Sequence, residues 1–313
     1  MKVINEAGDL KGKRVLVRVD WSVPNLANTF QIKSTLSTLE YITNAGAKLV
    51  IATHTEGVPI EDLRQFVPAG AKILPNLREN PGEQANSEDF AKELAAKADI
   101  YVNEAFPESH RACASIVRVP ELLPSFAGFR LAAEVKALSH AFYPPHPFLL
   151  ILGGAKFETK LPLVDKFLHI ADTIFIGGTL APKVSVKNEK IMLPKGDLTA
   201  LDANKETIEN LKLKIANSKF VIWNGPLGKY EDGYTESTYE LAKAMVEAKA
   251  EVIVGGGDTL AAIAPLNLLN KFSFVSTGGG AMLDFLAHGT LPGIEALNSP
   301  HPDFIHLSQP SPR

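Results

Sequence analysis

Cysteine occurs once in the 313 residues, at Cys113, so no intrachain disulfide framework exists and a reducing compartment is expected. The formal net charge is only −3, which argues against a dominant electrostatic partner such as DNA or an anionic membrane. No apolar run reaches transmembrane length, and the opening MKVINEAGDLKGKRVLVRVD holds no apolar core of signal-peptide length. A cytoplasmic chain without nucleic-acid or membrane partners is therefore expected. Zinc-spaced Cys/His clusters and the GxSxG elbow are absent, which speaks against metal-centred hydrolysis and serine-hydrolase chemistry. Neither GxxxxGK[ST] nor GxGxxG occurs, so a Walker loop is excluded and a standard dinucleotide site is weakened.

What is present is a regular alternation. Apolar or β-branched runs recur between Ala/Leu/Lys/Glu-rich segments of helical spacing, which predicts βα units, parallel sheets and an α/β fold. In the first half the expected strands are 14–20, 47–54, 71–75 and 98–106; in the second they are 148–154, 172–178, 219–225, 251–257 and 272–280. The chain is long enough for two domains, and AFYPPHP at 141–147, with three prolines, is the expected boundary.

Each strand of the second half ends in glycine. One such turn has a bland explanation, because tight βα turns use glycine for positive φ. Five at one sheet edge favour a platform where backbone N–H groups approach phosphate. In GGAKFETK, Lys156 and Lys160 lie one helical turn apart after a glycine turn, as solvated surface or as phosphate contacts. In VGGGDTLAAIAP, Asp258 and Thr259 are either helix caps or, for Asp258, a ligand to Mg²⁺ on a nucleotide.

Arginine is concentrated at the other end. Seven of the eight lie at or before Arg130. Arg18, Arg78 and Arg111 sit at or after expected strand ends, and with His54 and His110 they form a candidate anion pocket. Either histidine alone would more often be an ordinary polar residue.

Together, RVDWSVP, NLRENPGE, VNEAF…SHRACAS, ILGGAKFETK, WNGPLGKYE, GGGDT, STGGGA and LPGIEAL occur in the order found in phosphoglycerate kinases, and the resemblance covers nearly the whole chain. It implies two Rossmann-like domains with parallel sheets facing across a hinged cleft. An acid-substrate domain would span 1–143, joined by the tail 291–313, and a nucleotide domain 144–290. The implied reaction is reversible phosphoryl transfer between 1,3-bisphosphoglycerate and ADP, by a monomer using ATP/ADP and Mg²⁺. Carried over by motif, Arg18, Asp20, Ser22, His54, Arg78, His110 and Arg111 contact the acid substrate. Lys156, Gly257 and Gly280 approach the transferred phosphoryl group. Gly154, Lys160, Gly177, Gly178, Leu193, Asn224, Pro226, Glu231, Gly256, Gly257, Asp258 and Thr259 hold the nucleotide, with Mg²⁺ at Asp258.

Four departures stand out. Ser22 replaces the asparagine of RVDxN, and Gln31 stands where the family has an essential arginine. THTEGVP keeps His54 but loses the arginine of SHLGRP. The segment 179–218 is shortened, although MLP at 192–194 remains. Loss of two guanidinium groups leaves open a weakened homologue that binds adenine nucleotide as a module; a dehydrogenase is the third reading.

Overall fold

Eleven strands form two all-parallel sheets in the computed structural model, which describes residues 1–26, 29–155, 157–185 and 188–299. The chain divides into two compact units. One comprises Met1–Val135 with the segment beginning at Thr290; the other is Lys136–Gly289.

The first unit carries β1 (Arg14–Arg18), β2 (Lys48–Ala52), β3 (Lys72–Ile73), β4 (Ile100–Asn103) and β5 (Ser125–Ala127), in the order β3-β2-β1-β4-β5. Val17 stands opposite Ile51 on one side and Val102 on the other, and all three are fully buried. Continuous apolarity of this kind suits strands covered on both faces. Beyond β1, Trp21 is buried; its backbone N–H donates to Thr53 Oγ1 (3.1 Å) and its indole to Thr35 Oγ1 (3.0 Å). This anchor holds the loop that carries Asp20.

The second unit carries β6 (Phe148–Leu152), β7 (Thr173–Ile176), β8 (Ile191–Met192), β9 (Phe220–Asn224), β10 (Glu251–Gly255) and β11 (Phe274–Ser276), in the order β11-β10-β9-β6-β7-β8. Strand order reverses between β1 and β4 in one sheet and between β6 and β9 in the other. Loops diverge at such a reversal and open a crevice outside the carboxyl ends of the strands. The turns after β6 and β9 nearly touch: a Cβ on Gly225 would overlap the Gly153 carbonyl, so only glycine fits there.

All nine expected strands are present, shortened at their ends. β5 and β8 were not anticipated, because three and two residues show no period. The helix Pro292–Asn298 packs on the first unit, with Gly293 N–H donating to Ser109 O (2.9 Å) and Leu291, Ile294 and Leu297 buried. The rest of the expected tail, 300–313, lies outside the described residues. Among the described residues, no helix is long and apolar enough to cross a membrane.

Candidate functional site

At the end of β1 the Arg18 guanidinium is fully buried and turned into the fold. Its Nε donates to Ser115 Oγ (2.9 Å), Nη1 to Val19 O, and Nη2 to His54 Nδ1 (3.2 Å). Arginine can only donate, so Nδ1 of His54 is the acceptor and Nε2 carries the proton. Burial pushes His54 down to about 3, helped by Arg18, Arg78 and Arg111, and the ring is a neutral donor near pH 7. Arg18, expected among the substrate contacts, thus orients His54 from behind.

Asp20 follows on the loop anchored by Trp21. Burial, then the like charge of Glu108, raises its carboxyl to about 6 against the pull of Arg18. Its Oδ1 accepts from Ser22 N–H (3.1 Å), and its backbone oxygen accepts from Gln31 Nε2 (3.1 Å). Gln31 therefore braces this loop, whereas Ser22 contributes its backbone.

Sequence reasoning missed Glu108. It ends the short 3₁₀ turn Phe106–Glu108 after β4, and its buried carboxylate sits among the basic groups. Arg111 Nη1 is 3.4 Å away, Arg78 Nη2 3.5 Å, and Arg18 Nη2 and His54 Nε2 3.9 Å each. A glutamate in PESHR carries no local mark that separates it from a solvated one. Glu83 was also missed; it accepts from Ser115 N–H (3.0 Å) and Ser115 Oγ (2.5 Å), and lies 4.0 Å from Arg18. Arg111 is half-exposed, while Arg78 Nε and His110 Nδ1 are buried without a hydrogen-bond partner.

In the second unit, Lys160 is buried on the helix Phe157–Phe167 and its ammonium donates to Gly153 O behind the β6 turn. Gly154, Gly178, Pro226, Glu231 and Asp258 together line a cavity of about 250 Å³. Leu201 and Leu227 give it apolar walls, and Leu201 comes from the shortened segment. Gly177, Leu193, Asn224, Gly256, Gly257, Thr259 and Gly280 lie outside the wall. Asn224 is buried with Nδ2 3.7 Å from Met282 Sδ, Leu193 just follows β8, and Gly280 opens the helix Gly280–His288. Lys156 lies outside the described residues.

The structure separates the two residues of the GGGDT turn. Gly256, at φ +98°, is the N-cap of the helix Gly257–Ile263, and no side chain caps that helix. Thr259 is buried and its hydroxyl accepts from Gly225 N–H (2.7 Å), tying the β9 and β10 turns together. Asp258 is exposed, in the cavity wall. Among the described residues, no group of three or more His, Cys, Asp or Glu side chains could hold a metal unaided.

The family description "Phosphoglycerate kinase" matches residues 4–66, 60–190 and 181–289, nearly the full length. The chain belongs to the phosphoglycerate kinase family. The phosphoglycerate kinase of Finegoldia magna is 31% identical over 384 aligned positions, covering 93% of this chain and 97% of that one. Those positions outnumber the 313 residues here, so the relative carries segments without a counterpart. Solved phosphoglycerate kinases agree in fold. That of Coxiella burnetii gives a TM-score of 0.77 at 28% identity, covering 93% of this chain and 97% of its own. That of Pyrococcus horikoshii OT3 gives 0.83 at 25% identity, covering 95% and 98%. The resemblance carried by the motifs and the paired α/β sheets are thus borne out, and the family match decides against the dehydrogenase reading.

Proposed function

We propose that the chain catalyses reversible phosphoryl transfer between 1,3-bisphosphoglycerate and ADP, giving 3-phosphoglycerate and ATP. The observation that carries this reading is the convergence of Arg78, Arg111 and neutral His54 beyond the carboxyl edge of the first sheet. In the ATP-consuming direction, a carboxylate oxygen of 3-phosphoglycerate attacks the γ-phosphorus. The new P–O bond forms as the bond to the β,γ-bridging oxygen breaks, and ADP leaves with those electrons. A carboxylate needs no deprotonation before attack, so the step calls for positioning and charge stabilisation and not for a general base.

In this reading the first unit holds the acid. Arg78 and Arg111 grip its nonreacting phosphate in the bidentate manner open to guanidinium groups. His54 Nε2–H and His110 donate to the acid, while Asp20 and Ser22 meet its hydroxyl and carboxyl end. Gln31 stands nearest the reacting groups by motif. The second unit holds the nucleotide: Glu231 at the ribose hydroxyls, Asn224, Pro226 and Leu193 around the nucleoside, and Lys160 with Gly154, Gly177, Gly178, Gly256, Gly257 and Thr259 at the phosphates. Lys156 and the Gly280 N–H serve the transferred group by motif. An exposed carboxylate in the cavity wall, with no protein ligand cluster among the described residues, fits Mg²⁺ carried mainly by nucleotide phosphates, with Asp258 as its protein ligand. When bound, that ion neutralises charge on the phosphates. The low net charge and single cysteine support a cytoplasmic chain acting on small molecules, and a monomer is what the family resemblance implies.

A coupled assay of purified protein with 3-phosphoglycerate and Mg-ATP tests the reading, with turnover expected to require both. ADP binding without turnover would leave a nucleotide-binding module in its place.

A further inference from the structure

We propose that Glu108 is a built-in competitor for the acid substrate: its carboxylate fills the guanidinium cluster of the free protein and must leave before an anionic group can bind there. The inference rests on the acid-substrate reading of this cluster.

The geometry shows a carboxylate in place but loosely held. Its approaches to Arg78, Arg111, Arg18 and His54 run from 3.4 to 3.9 Å. Charge-assisted hydrogen bonds close to about 2.7–2.9 Å, and in the same unit Arg14 reaches Asp99 at 2.7 Å. Among these groups Glu108 accepts one hydrogen bond, a long one from Arg78 Nη2 at 3.5 Å, and otherwise supplies charge. A donor is left over as well, because Arg78 Nε lacks a partner.

Charge balance points the same way. Arg18, Arg78 and Arg111 face the carboxyl groups of Glu83, Glu108 and Asp20 and, at the exposed edge, Glu56, 3.7 Å from Arg78 Nη2, while His54 is neutral. A phosphate dianion added to this set would lie beside an uncompensated buried carboxylate, which is strongly unfavourable. With Glu108 swung out, Arg111 is released to the ligand and Arg78 keeps only the exposed carboxylate of Glu56. The way out is short, since Glu108 ends a one-turn segment and its neighbour Arg111 is half-exposed.

Calorimetry of wild type, Glu108→Gln and Glu108→Ala with 3-phosphoglycerate, glycerate and ADP decides the matter. The expected result is tighter 3-phosphoglycerate binding in both variants, by about tenfold or more. Glycerate, which lacks the phosphate gripped by Arg78 and Arg111, should gain less, and ADP affinity should stay as in wild type. Should Glu108→Gln lose its melting transition, Glu108→Ala carries the same comparison. Unchanged or weaker 3-phosphoglycerate binding with ADP binding intact would overturn the proposal alone. No 3-phosphoglycerate binding by any of the three would overturn it together with the acid-site reading.

Discussion

Arg18 Nη2 donates to His54 Nδ1 across 3.2 Å, and this single contact assigns the imidazole proton to Nε2, on the side of Glu108. The neutral ring and the protonatable Asp20 beside it make folding stability depend on pH in opposite senses.

His54 is held at about 3 in the fold against 6.5 when unfolded, so between those values the unfolded chain binds the extra proton and stability rises with pH. Asp20 is raised from 3.8 to about 6, so in that window the folded state binds the proton and stability falls with pH. His54→Gln should remove a rising limb, and Asp20→Asn a falling one, each with a slope of up to about 1.4 kcal/mol per pH unit. Guanidinium unfolding from pH 3 to 7 measures both. Curves parallel to wild type would mean that neither group is perturbed.

Asp258 and Thr259 should part company on mutation. Asp258 makes no capping hydrogen bond, so Asp258→Ala should leave the melting temperature nearly unchanged while weakening Mg-ADP binding far more than metal-free ADP binding. Thr259→Val strands the buried Gly225 N–H and should cost about 1–3 kcal/mol. Calorimetry with and without Mg²⁺, beside thermal melts, separates the two. Equal weakening of both ADP forms would remove the metal role of Asp258.

Arg111→Lys keeps the charge but loses the planar fork. The expected outcome is a raised KM for 3-phosphoglycerate with the KM for ATP unchanged. Steady-state kinetics read this directly, and unchanged constants would show that the half-exposed guanidinium does not grip the substrate.

Gln31 spends its amide donor on the Asp20 carbonyl. An arginine at a transferring phosphoryl group contributes about 10³–10⁵ in rate in other systems. Gln31→Arg should therefore raise kcat more than it changes KM, as measured by single-turnover rates. A fast wild type that gains nothing would show that this amide does not limit catalysis.

The buried strands were legible because a parallel sheet covered on both faces demands apolar runs such as FLLIL and EVIVG, and nothing else in the chain resembles them. β5 and β8 were not, since a pairing of two or three residues is decided by its neighbours. The glycine turns, Glu231 and Asp258 could be found from the motifs. Their convergence on one cavity could not, because it depends on the Leu198–Leu201 stretch joining the same wall, where Leu201 O accepts from Lys229 N–H (2.8 Å). Arg18 was noticed for its place at a strand end, but its inward direction is set by Ser115 and Glu83, far away in sequence. Glu108 stayed hidden for the same reason: its partners at 18, 54 and 78 come from three other strand ends.

The docking of Gly293 on Ser109 bears on the order in which the chain can be completed during synthesis. The second unit is one continuous stretch, Lys136–Gly289, and possesses its last strand once Ser276 has emerged from the ribosome. The first unit starts with Met1–Val135 but lacks buried Leu291, Ile294 and Leu297, and the Gly293 backbone that lies against Ile116, until the whole second unit has been made. The half that starts first therefore waits for the other, with an apolar face open until the helix Pro292–Asn298 arrives.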